Sequence, residues 1–163
     1  MSITLDGTTG ITSPSVVAPI NLPNGGPAFS ATRSGTQSIA NATFTKVQYN
    51  SEEFDTNSNY DPTTDFRFTP TVAGYYSVNA SAGWGFTSGF SISAIYKNGS
   101  VAKWGSLAAS TGAGTLSTVS VLIYMNGSTD YVEAYVYQQA GSSQNVTANT
   151  VETYFQAALV RAA

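Results

Sequence analysis

The side chains most able to do chemistry are five carboxylates in one stretch, Glu52, Glu53, Asp55, Asp61 and Asp65 of "SEEFDTNSNYDPTTD". Oxygen ligands of this kind suit a hard cation, so a calcium site is one reading. The plainer reading, and the preferred one, is a set of solvated loop charges beside Arg67 and Lys46. A glycosidase would need two carboxylates opposed across a cleft, and nothing in the spacing arranges that. His and Cys are both absent. The usual general base of a serine nucleophile and most transition-metal ligand sets are therefore missing. No catalytic residue, cofactor or metal ligand is expected, and the chain reads as a non-enzyme.

Other residues suit recognition better than catalysis. Trp104 in "AKWGS" could stack on a sugar face, although a core position is the commoner fate of such a ring. Gln144 and Asn145 lie in "QAGSSQNVTANT", which like "GSLAASTGAGTLS" reads as a long polar connection. Recognition tends to sit on connections that vary without disturbing a core, so these two join Trp104 as candidate ligand contacts. Asn41, Asn79, Asn98, Asn126 and Asn145 each open an Asn-x-Ser/Thr triplet. In a chain this rich in Asn, Ser and Thr, chance accounts for most of them, and glycosylation is not expected.

The elements that must carry these residues follow from composition and period. With 163 residues the chain is long enough for one substantial core and short for two domains. Charged residues make up only 9% against 42% hydrophobic, with a net charge of −3. No basic stripe is available for phosphates, so nucleic-acid binding is not expected. No apolar run is long enough to span a bilayer, and "MSITLDGTTGITSP" lacks the parts of a signal peptide.

Alternation dominates and helical period is missing, so the chain reads as all-β. In residues 75–86, Tyr76, Val78, Ala80, Ala82, Trp84 and Phe86 share one face, which is expected to pack on the core. Asn98-Gly99 and Asn126-Gly127 predict two tight hairpins. "TVETYFQAALVRA" predicts a final strand buried on both faces, in mid-sheet or at a subunit interface. In "DFRFTPTVAGYYSV", Phe66 and Phe68 point to one side, Pro70 ends the ladder, and Gly74 permits a backbone geometry that others resist. Connections of this kind recur at the spacing of an antiparallel sandwich or jelly roll. Tyr131, Tyr135 and Tyr137 share a face of one strand opposite Val132, Ala134 and Val136. With Tyr154 and Phe155 they are the candidate subunit-interface residues, because rigid amphipathic rings bury much area at small entropic cost.

Residues 1–26 differ in character. After "ITLDGTTGIT", a single short strand by its pattern, proline recurs in "SPSVVAPINLPNGGP" without amphipathic period, as in an extended arm. Such an arm is ordered only when something holds it. The expected division is an attachment arm at 1–26 and a head domain at 27–163.

From Ala28 onward the chain resembles the globular head of complement component one, subunit q, a jelly roll related to tumour necrosis factor. Tyr49, Asp55, Tyr60, Phe68, Gly74 and Tyr76 follow that family's order of aromatic, acidic and Gly-x-Tyr positions, while Val78 and Ala80 replace expected aromatics. "AFSATR", "YKNGS" and "YFQAALV" match its opening strand, central hairpin and closing strand. The resemblance implies an antiparallel jelly roll of about ten strands that assembles as a homotrimer. "ITLDGTTGITSP" is similar to short segments near the ends of bacteriophage tail, fibre and head-decoration proteins. That second resemblance implies a trimeric tail-fibre or receptor-binding head of a virion, made in the host cytoplasm. The arm would attach it to other virion proteins through Ile3, Leu5, Ile11, Val16 and Val17. A host surface polysaccharide or protein is a further candidate partner. A capsid decoration trimer and a free secreted, lectin-like ligand are the alternatives.

Overall fold

Strict two-residue periodicity makes strands with two unlike faces, and burying one face of each builds a two-layer body. The computed structural model of the chain describes residues 25–163 together with the segments Thr4–Asp6 and Gly10–Thr12. Its strands in chain order begin with β1 (Thr4–Asp6), β2 (Gly10–Thr12), β3 (Ala28–Thr32), β4 (Gln37–Ile39), β5 (Thr45–Lys46) and β6 (Ser51–Asp55). They continue with β7 (Tyr60–Asp61), β8 (Arg67–Phe68), β9 (Ala73–Trp84), β10 (Ser88–Lys97) and β11 (Ser100–Trp104). The remainder are β12 (Ala108–Thr111), β13 (Thr115–Asn126), β14 (Val132–Gln139), β15 (Gln144–Val146) and β16 (Tyr154–Ala162).

Two seven-stranded antiparallel sheets result. One runs β4-β15-β9-β16-β3-β6 with β13 on the other edge of β9; the second runs β11-β10-β14-β8-β7, with β12 also on β10 and β5 on β14. The expected jelly-roll sandwich is what forms, with more strands than the ten foreseen because several pairings of two or three residues count separately. Between the sheets, Tyr76, Val78, Ala80, Ala82, Trp84 and Phe86 are buried as their alternation required, opposite Val132, Ala134 and Val136. The core also holds the resemblance's signature. Phe29 stacks on Tyr60 at 4.5 Å and on Phe68 at 4.6 Å, and Phe68 meets Tyr76 edge-on at 5.7 Å. The buried phenols each find an acceptor: Tyr49 donates to Ser81 O, Tyr60 to Tyr49 O and Tyr76 to Val72 O. Burial raises all three above the usual tyrosine range, Tyr76 to about 12, so they stay neutral donors.

Several expectations change. The Asn98-Gly99 hairpin is present between β10 and β11, with φ of 52° and 76°, both positive as its tight turn demands. The second pair makes no hairpin. β13 pairs with β9 and β14 with β10, so Asn126-Gly127 carries the chain from one sheet to the other. At this corner Asn126 Oδ1 accepts the N–H groups of Ser128, Thr129 and Asp130, which sets the local curvature of the crossing. "ITLDGTTGIT" forms two strands, with Leu5 opposite Ile11. The polar stretches read as open connections contain β12 and β15. β16 lies in mid-sheet between β9 and β3 as foreseen, yet only one face is buried, and Val160 is 63% exposed.

At the corner after Asp65, Phe66 is a half-buried turn residue with φ of 50°, and the strand proper is only Arg67–Phe68. Gly74 has no positive φ. Its need is space: a Cβ there would lie 2.4 Å from Arg161 O and 2.8 Å from Leu159 Cδ1, where β16 crosses closely.

Candidate functional site

The acidic stretch does not gather. Asp61 caps the turn before β8, its carboxylate accepting the N–H groups of Thr63, Thr64 and Asp65 and the Thr63 hydroxyl. Those backbone donors hold it well below the usual carboxylate range. Asp55 accepts from Asn57 N and Tyr60 N, Glu53 from the Ser30 hydroxyl, and Asp65 pairs with Arg67 at 3.0 Å. Among the described residues no three His, Cys, Asp or Glu side chains form a metal-holding group. Each carboxylate described here serves a turn, a strand pair or a surface ion pair.

The broad surface feature is the outer face of the β13-β9-β16 sheet. Side chains opposite the core alternate outward there, and register sets Leu122 beside Ser77, Ser77 in turn beside Ala158, and Tyr124 beside Tyr75. Leu122 is 64% exposed; Leu116, Tyr124, Tyr75 and Phe54 are also exposed. Tyr75 and Tyr124 pack edge to face at 5.6 Å, which keeps both rings standing on the sheet. A hollow of about 150 Å³ opens on the same face between Phe54, Ser77, Asn79 and Gln156. Leu122, Tyr124 and Tyr75 gather toward one end of this face, while Leu116 stands at the other end of β13 and Phe54 on β6.

The opposite sheet carries aromatics on its outer face. Tyr135 stacks on Tyr96 at 3.9 Å, and Arg67 lies over the Tyr131 ring at 4.5 Å. Toward the other end of β14, Phe44, Phe90, Ile92, Trp104, Leu107 and Tyr137 line a groove of about 320 Å³. Trp104 is 60% exposed, so the common core fate does not apply to it.

The sequence-derived sites therefore separate. Tyr135 and Tyr137 are half-buried on the outer face of β14, Tyr131 is half-buried just before that strand begins, and Tyr154 is half-buried on β16 in the other sheet. Phe155 is corrected: with no exposed surface it packs against Phe29, Tyr49 and Tyr60 inside the subunit, and cannot face a neighbour. Its strand alternates, so it and Tyr154 could not both point outward. Gln144 and Asn145 sit on β15 and pair with β4, away from the groove of Trp104. Of the attachment residues, Leu5 and Ile11 are backbone register partners across β1 and β2, while Ile3, Val16 and Val17 lie outside the described residues. The outward residues Leu122 and Tyr124 were missed, although "LSTVSVLIYM" shows apolar residues on both alternating faces. Phe44 was missed because it reaches the groove from the β4–β5 connection, which no local period reveals.

This architecture is the tumour-necrosis-factor-like jelly roll. The chain is similar in structure to murine APRIL, with TM-score 0.65 at 7% identity, over 83% of this chain and 99% of that one. It is similar to Eiger TNF from S. frugiperda, with TM-score 0.59 at 8% identity, over 84% and 92%. It is also similar to PRD1 vertex protein P5, with TM-score 0.57 at 17% identity, over 83% and 97%. Neither a protein-family model nor a curated protein matches the sequence.

Proposed function

We propose that the protein is a non-enzymatic structural component of a bacteriophage particle, a homotrimeric head attached by its N-terminal arm and used as a tail-fibre tip or receptor-binding piece. The observation that carries this reading is the exposed apolar face of β9, β13 and β16. Leu122, Tyr124, Tyr75 and Val160 stand in water in a lone subunit. These side chains are already about half covered, so completing their burial stabilises by about 1 kcal/mol each, and several together support association. Closed rotational symmetry would shelter the patch of every copy at once.

Two further observations support the particle setting. The arm's "ITLDGTTGITSP" resembles phage attachment segments, and its β1-β2 pair has strand edges that could extend a partner's sheet. The second is the fold shared with a vertex protein. That likeness also favours a second reading within the same class, a trimer decorating the capsid and not the tail. The fold shared with APRIL and Eiger supports the third, a free ligand.

Deleting residues 1–26 tests the reading. The particle account expects a soluble trimer that no longer joins particles. Retained incorporation would refute arm attachment, and a full-length chain that never joins particles would favour the free ligand. Labelling whole particles separates tail from capsid.

A further inference from the structure

The aromatic groove on the second sheet is a different surface from the assembly face, and its construction says what it can hold. Phe44, Phe90, Ile92, Trp104, Leu107 and Tyr137 line it, and no carboxylate, ammonium or guanidinium does. Its walls are fixed. Phe44 stacks on Trp104 at 5.4 Å with the rings 26° apart, and meets Tyr137 at 5.2 Å. Phe90 stacks on Tyr137 at 5.9 Å. The connection that brings Phe44 over the sheet is pinned at its turn, by Ala42 N to Gln138 O and by Gly141 N to Asn41 Oδ1, and again just after Phe44, where Thr45 pairs with Val136. Trp104 is thus a flat face held open to solvent on a strand.

Three features select the occupant. A volume of about 320 Å³ lies at the low end of small-ligand sites and admits a ring or two, not a protein segment with its surroundings. A partner protein would need about 800 Å² on this side, but among the described residues the large exposed apolar side chains here are confined to Val101, Trp104 and Leu107. The remainder of that exposed set, Val151 apart, lies on β6, β9, β13 and β16 of the other sheet. An ionic ligand would lose hydration with no opposite charge to meet it. What fits is a neutral ring with apolar C–H faces and a polar rim.

We propose that this groove binds a neutral sugar ring, seated on Trp104 against Phe44 and Tyr137. The C–H face of a pyranose is electropositive and complements the negative face of the indole. Hydroxyls at the sugar's rim can reach the Tyr137 phenol, the Gln139 amide that it contacts, and backbone groups on the free edge of β11. The proposal deepens the receptor-binding reading and rests on it only for the source of the sugar, a host surface polysaccharide.

The test uses the full-length protein and its two tryptophans, of which Trp84 is buried and Trp104 exposed. Neutral hexasaccharides of glucose, mannose and galactose are titrated in turn, with an acidic galacturonate hexamer and an apolar tripeptide as contrasts. The expected result is a saturable blue shift of emission with at least one neutral hexasaccharide. Phe44→Ala should weaken that binding at least about tenfold, and Val151→Ser should leave it unchanged. No shift with all three neutral sugars, an equal response to the acidic hexamer, or saturation by the tripeptide alone would overturn the proposal. Sedimentation of the same samples keeps the two ideas apart: a trimer without sugar binding sinks only the groove, and sugar binding by single copies sinks only the assembly.

Discussion

Gly74 and Asp130 show how single positions fix this fold. A methyl group at Gly74 would run into the Arg161 carbonyl of β16, so Gly74→Ala should destabilise by about 2–3 kcal/mol in urea unfolding. The sequence marked Gly74 as special; the close crossing strand that makes it so is a tertiary fact. Asp130 pairs with Lys97 at 2.7 Å and accepts from Asn98 Nδ2 and Asn126 N. Burial works to raise its pKa, but the Lys97 and Asn98 hydrogen bonds and the Asn126 N–H prevail and lower it. A lowered folded value means that its stabilisation is complete above the unfolded carboxylate pKa, about 3.9, and is lost as pH falls through the folded one. Thermal unfolding from pH 6 down to pH 2 should therefore show a loss below about pH 4 that is smaller in Asp130→Asn. Ser91 Oγ is buried without a hydrogen-bond partner, so Ser91→Ala should be neutral or slightly stabilising by the same unfolding assay.

Individual strands were legible where one face alone is buried, and misread where a partner strand decides. The run from Tyr76 to Phe86 states its core face outright because β9 is central and long. The two Asn-Gly pairs look alike in sequence and differ in the molecule, since a turn residue sets local curvature but not which sheet the next strand joins. Their glycines should differ accordingly. Gly99 has φ of 76° and only the Tyr131 hydroxyl within reach of a Cβ, at 3.5 Å. Gly99→Ala should cost about 1 kcal/mol. At Gly127 a Cβ would also lie 2.3 Å from Ala73 N, so Gly127→Ala should cost clearly more, about 3 kcal/mol. Equal midpoints for the two variants would contradict this account of the crossover. Phe155 illustrates the opposite limit: an apolar run cannot say which of two adjacent rings faces out until the strand's register with β3 and β9 is known.

At the scale of the molecule, two sheets enclose one core and each leaves a different outer face. The fold class was readable from alternation and from the order Tyr49, Asp55, Tyr60, Phe68, Gly74 and Tyr76, because the four aromatics meet in the core, Asp55 holds Tyr60 N at its margin and Gly74 admits the close crossing of β16. The outer faces were not, since a surface patch is assembled from strands distant in sequence. The proposal assigns the β9-β13-β16 face to other copies of the chain and the groove of Trp104 to a ligand. Sedimentation velocity on the full-length protein and on Leu122→Asp tests that assignment most directly. Full-length protein should run at the mass of three 17.0 kDa chains, and Leu122→Asp should run as folded single copies. A full-length protein that stays single at micromolar concentration, or a Leu122→Asp variant that stays trimeric, would contradict the account.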